Sequence, residues 1–119
     1  QAAQSLVGSV DAFYEPTDNV IASAIPTLVA ITDAAKVPVI GGEPYQVKSG
    51  ALATYGIDYY QLGVQTGHMA ADILAGKKKP ADMPIETAKT LKICINKKDA
   101  EALGITIPAD VLKDADIVE

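Results

Sequence analysis

The chain is poor in the residues that most enzymes and metal sites need. It has one cysteine, one histidine and no tryptophan among 119 residues. A single cysteine, Cys94, cannot close an internal disulfide or build a zinc site, and its place in the apolar run Leu91–Ile95 points to burial on a strand. The single histidine, His68, has no second histidine or cysteine nearby, which argues against a transition-metal centre. GxGxxG, Walker, GxSxG and HExxH patterns are all missing, so no cofactor, metal or catalytic residue is expected. Basic residues are also scarce. The net charge is −5 and the pI about 4.7, the wrong sign for a surface that neutralises nucleic-acid phosphates. The one basic run, Lys77-Lys78-Lys79, abuts Pro80 and reads as a solvated loop. No stretch reaches the roughly 18–20 apolar residues of a membrane span, and the given sequence shows no signal-peptide pattern or lipid-attachment cysteine near Gln1, which says little because it does not open on Met. The chain opens on Gln1, in what reads as the last turns of a helix, so a preceding segment is expected.

What remains is a domain-sized chain, 49 % hydrophobic and 21 % charged, able to bury a real core. Three short apolar runs each stop at a polar cluster. Ala12–Tyr14 meets Glu15-Pro16-Thr17-Asp18-Asn19; Val37–Ile40 meets Gly41-Gly42-Glu43-Pro44; Ala51–Thr54 meets Tyr55-Gly56-Ile57-Asp58. The expected strands are Val10–Tyr14, Val37–Ile40, Ala51–Tyr55 and Leu91–Ile95. Between them lie helical patterns: Asn19 to about Ala35, a single turn over Tyr45–Ser49, Tyr59–Leu74, Lys97–Leu103, and Ala109 to about Ala115. Asp18, Asp58 and Asn96 are placed to cap helices, and Gly76 and Gly104 to end them. Pro26 is discordant inside the first long helix and predicts a kink or irregular first turns. The order is that of an α/β fold, a parallel or mixed sheet flanked by helices.

In such a sheet, ligands bind at the carboxyl edge of the strands. Convergence of the three clusters there predicts a small-molecule cleft. Asp18 or Asp58 would accept from a ligand ammonium, and the N–H groups at the starts of the helices after Thr17 and Asp58 would suit a carboxylate. Tyr14, Tyr45, Tyr55 and Tyr59 could supply flat walls, with core packing the favoured role for Tyr14. Helix capping is the competing role of each aspartate, and Glu15, Asp18, Glu43 and Asp58 all have a helix cap or a ligand acceptor as their simpler role. An acid/base carboxylate pair among Glu15, Asp18, Glu43 and Asp58 would be the enzymatic alternative.

Val10-Asp11-Ala12-Phe13-Tyr14-Glu15-Pro16-Thr17-Asp18-Asn19 and Gly50–Gly63 resemble segments of ABC-transporter substrate-binding proteins, in particular the tryptophan/tyrosine-type binding lipoproteins. Ala75-Gly76-Lys77, Ile95-Asn96-Lys97-Lys98 and Leu103-Gly104-Ile105 extend the resemblance over the whole chain. It implies part of a type I periplasmic-binding-protein lobe. Residues 1–56 would be the later part of the second ligand-binding lobe. Residues 57–84 would cross the hinge, with a helix packed on a first lobe outside this chain, and residues 85–119 would return with the C-terminal helices. It further implies an extracytoplasmic, non-enzymatic component of an ABC importer that binds an amino acid or similar zwitterion and is read by a permease. Thr17, Asp18, Asn19, Glu43, Tyr55 and Asp58 would be its ligand-binding residues. Glu15, Pro26 and Glu43-Pro44-Tyr45 depart from the family pattern. The helix stripe Leu62/Met69/Ala70/Ile73 would need a partner, either the missing N-terminal portion or a second copy exchanging elements. The rival reading is a self-contained flavodoxin-like signalling or ligand-sensing domain, which would need five strands where four are evident.

Overall fold

A computed structural model describes all residues, Gln1–Glu119. Helix α1 (Ala2–Leu6) leads into strand β1 (Phe13–Glu15), helix α2 (Asn19–Ala34), strand β2 (Val39–Gly41), helix α3 (Pro44–Lys48), strand β3 (Ala53–Ile57) and helix α4 (Tyr59–Leu74). A 3-10 turn at Pro80–Asp82 precedes strand β4 (Leu91–Asn96), helices α5 (Lys97–Leu103) and α6 (Ala109–Lys113), and strand β5 (Ala115–Val118). The strands form one five-stranded sheet in the order β1-β2-β3-β4-β5. β1, β2 and β3 run parallel, as do β4 and β5. This sequential order differs from the 2-1-3-4-5 order of flavodoxin-like sheets.

The fifth strand corrects the sequence expectation of four. Helix α6 stops at Lys113 instead of continuing to about Ala115. Ala115-Asp116-Ile117-Val118 instead pairs with β4, Ile95 opposite Ile117, and Lys92 Nζ meets Asp116 Oδ2 at 2.6 Å across the pair. A four-residue strand made by a long-range partner leaves little periodicity to read.

The chain divides into two compact units, residues 1–56 with 92–119, and residues 57–91. In the first, one face of the sheet is covered. Phe13, Val37, Val39 and Ala51 are buried together with Ile25 of α2, and Ala3, Val7, Ile21, Leu28 and Val29 pack against them. Each fully buried side chain of this size contributes about 1.5–3 kcal/mol, which explains why α2 runs unbroken through Pro26. The proline ring is exposed while its neighbour Ile25 is fully buried. The cap from Asp18 and the core contacts outweigh the roughly 3 kcal/mol cost of an internal proline. Pro38 stands just before β2, a position where a missing N–H is tolerated, and its carbonyl accepts the Phe13 N–H at 2.9 Å.

In the second unit, the Asp58 carboxylate caps α4 by accepting the Gln61 N–H at 3.0 Å, and Gly76 takes the left-handed conformation (φ +70°) that closes it. Residues 77–90 are tied along α4. The Gln65 side-chain amide donates to Glu86 (2.8 Å) and to the Thr87 carbonyl (3.1 Å), and Lys78 pairs with Asp72 at 2.9 Å. No residue of α4 is buried. No helix is long and apolar enough to cross a membrane.

Candidate substrate-binding site

Parallel pairing of β1, β2 and β3 brings the chain exits of neighbouring strands together. Glu15 lies opposite Gly41, and Ile40 opposite Ala53. Beyond those pairs the backbones nearly touch. A side-chain carbon on Gly42 would sit 2.8 Å from the Thr17 nitrogen and 3.0 Å from the Thr17 hydroxyl oxygen. One on Gly56 would sit 2.6 Å from the Gly42 carbonyl oxygen and 2.9 Å from the Glu43 Cα. Only glycine permits this approach, so Gly42 is the hub between the exits of β1 and β3. The Thr17 hydroxyl faces the Gly42 carbonyl at 3.4 Å.

The expected ligand-binding residues take different places. Thr17, Asp18 and Asn19 are exposed on the loop from β1 into α2. Asp18 uses Oδ1 for both cap bonds, from Val20 N (2.8 Å) and Ile21 N (3.0 Å). Its second oxygen is not engaged in the cap. Glu43, by contrast, is buried and both of its oxygens are occupied, Oε2 by the Tyr45 N–H (2.6 Å) and Oε1 by the Gln46 N–H (2.9 Å). It fixes the turn after β2 as the cap of α3. Tyr55 is 70 % exposed on β3. Asp58 belongs to the second unit, where it caps α4.

Tyr14 is 69 % exposed, not packed in the core. Strand alternation is the reason: Phe13 takes the covered face, and Tyr14 the opposite one. Tyr14 is in register with Ile40, which pairs with Ala53, so Tyr14 and Tyr55 share this face. On it lies an apolar groove of about 420 Å³ lined by Ile40, Ala53, Tyr55, Ile93, Ile95 and Val111.

Two buried polar residues escaped the sequence reading. Gln46, fully buried, links the exits of β1 and β2 through its side-chain amide. Thr54 is 3 % exposed and its hydroxyl has no hydrogen-bond partner, although it lies 2.8 Å from where a Gly56 side chain would begin. Burial also pushes the Glu15 carboxyl above its usual range.

The arrangement offers an acceptor with charge, a hydroxyl, a helix N-terminus and an aromatic ring. It provides no nucleophile–base pair. The protein-family model for ABC transporter substrate binding protein matches residues 1–119. The chain belongs to this family. It is 41 % identical over 114 residues to a tyrosine-binding protein of Clostridioides difficile, covering 95 % of this chain and 33 % of that protein. Among solved structures it is similar to an ABC domain in complex with L-Trp from Streptococcus pneumonia, at 44 % identity and a TM-score of 0.84, over 98 % of this chain and 39 % of that one. A ligand-free, open substrate-binding protein with adhesive properties from Clostridium difficile matches at 40 % identity and a TM-score of 0.80, over 100 % of this chain and 39 % of that one. This substrate-binding-family chain thus spans a third to two fifths of the length of those relatives.

Proposed function

We propose that the chain is the later part of an extracytoplasmic solute-binding protein that captures an amino acid, aromatic by preference, for an ABC importer. The observation that carries this reading is the junction of the β1, β2 and β3 exits at Gly42, with Thr17, Asp18 and Asn19 exposed beside it. The unengaged oxygen of Asp18 accepts from the ligand ammonium. Thr17 and Asn19 donate to its carboxylate. The exposed ring of Tyr55 faces an aromatic side chain. A tyrosine-binding relative and a relative solved with L-Trp support the aromatic class.

The work of such a protein is conformational. Two lobes of the whole protein close over the ligand and shift an open–closed equilibrium; a permease reads the closed form, and no bond is made or broken. Helix α4, with no buried residue, packs on a lobe outside this chain. A thermal-shift screen of the full-length protein against the common amino acids tests the ligand class. L-tyrosine or L-tryptophan is expected to raise the melting temperature most. No shift with any amino acid would contradict the proposal.

A further inference from the structure

The junction at Gly42 has a strut beneath it. Gln46 is fully buried, and both halves of its side-chain amide are used across two loops. The oxygen accepts the Gly42 N–H at 2.7 Å, and the nitrogen donates to the Pro16 carbonyl at 3.1 Å. Pro16 immediately precedes Thr17, so one planar group sets the spacing between the loop after β1 and the turn after β2. The surrounding sequence accommodates it. A side chain at Gly41 would lie 2.9 Å from the Gln46 amide oxygen and 3.0 Å from its Cβ. The Glu43 carboxylate holds the Gln46 backbone N–H, which orients the first turn of α3.

We infer that Gln46 is a positioning residue: through Pro16 and Gly42 it holds Thr17, Asp18 and Asn19 at the geometry that receives the ligand. This rests on the reading of those three residues as ligand contacts. The competing role is that of a satisfied core amide whose loss costs stability alone. The two roles separate because an amide is donor and acceptor at once. Gln46→Glu keeps an oxygen for the Gly42 N–H but, ionised, sets a negative charge against the Pro16 carbonyl. Gln46→Met keeps the length and loses both bonds.

The test uses the full-length protein. Kd values for L-tyrosine and L-tryptophan are measured by calorimetry, with amide hydrogen exchange at Gly42 and across residues 17–20. In folded Gln46→Glu at pH 7.5, affinity should fall roughly tenfold, as expected when one buried hydrogen bond is replaced by an unmatched acceptor. Near pH 5 it should recover relative to the wild type at the same pH, because a buried carboxyl protonates readily and then donates to Pro16. Gly42 should stay protected in Gln46→Glu and lose protection in Gln46→Met. Folded variants that bind as tightly as the wild type at both pH values would overturn the inference. If the wild type itself binds neither amino acid, the ligand reading fails. What is then decided, by exchange alone, is whether Gln46 holds the loop: faster exchange confined to Gly42 and residues 17–20 in Gln46→Met upholds it, and unchanged exchange, or a rise spread evenly over the chain, ends it. Should Gln46→Met not fold, the pH-dependent exchange of the same loop in Gln46→Glu decides.

Discussion

Asp99 of α5 and Asp33 of α2 bring two carboxyl groups close enough to shift each other's hold on a proton. Asp99 is buried in the first turn of α5, and Lys36, just past α2, donates to the Ala102 carbonyl at 2.6 Å on the same helix. Burial first, and the neighbouring Asp33 second, push Asp99 from 3.8 up to about 6. Burial also raises Asp33, opposed by the charge of Lys36.

The sign follows from which state holds the proton. With the folded value above the unfolded one, the native state keeps a proton that the unfolded chain releases. This contribution to stability is complete below about pH 4 and is lost as pH rises through about 6. Asp99→Asn retains a donor for Asp33 and cannot ionise. It should stabilise the protein by roughly 1–2 kcal/mol at pH 7.5 and confer no gain at pH 4. Urea unfolding at both pH values checks this. An equal effect of the substitution at the two would contradict it.

Gly56 and Gly63 should respond oppositely to alanine. A methyl group at Gly56 meets the Gly42 carbonyl at 2.6 Å, the Thr54 hydroxyl at 2.8 Å and the Glu43 Cα at 2.9 Å. Two of these are backbone atoms that cannot swing aside, so Gly56→Ala should cost about 1–3 kcal/mol. At Gly63, inside α4, no atom of this chain lies within 4 Å, and in the isolated chain Gly63→Ala should add about 0.5–1 kcal/mol. Denaturant midpoints compare the two directly. A neutral Gly56→Ala would show that the strand exits are not in close contact.

Much of this architecture is local chemistry and was legible. Helix α4 begins and ends where Asp58 and Leu74 were expected, and α5 runs between Asn96 and Gly104 as its cap and stop signals required. These ends are set by side chains two or three residues away. Strand ends were less legible. β1 starts at Phe13 and not Val10, because Val10 instead bridges to Val7. Core packing, the favoured expectation for Tyr14, fails because the neighbouring Phe13 takes the covered face. At the site, the three loops could be read from their polar residues. Gln46 could not, because its partner Pro16 lies thirty residues away and a lone glutamine in a short helix carries no periodic signal.

The 119-residue chain on its own should not behave as a closed monomer. α4 has no buried residue, and Leu74 and Ile85 are 88 % and 99 % exposed. With the groove beside Tyr55, these surfaces call for cover from the remainder of the protein or from a second copy. Sedimentation of the isolated chain should show association, together with binding of an apolar dye. A monomer that unfolds cooperatively and binds no dye would contradict this.

The charge on Asp18 tests the proposed ligand site most directly. Asp18→Asn preserves a good helix cap and removes the negative charge. Calorimetric titration of the full-length wild type and this variant with L-tyrosine and L-tryptophan separates capping from recognition. A site in which Asp18 receives the ligand ammonium predicts an unchanged melting temperature and an affinity lower by at least about tenfold, the weight of one charge-assisted bond. Equal affinity in the two proteins would contradict the account, because the Asp18 charge would then receive no ligand ammonium.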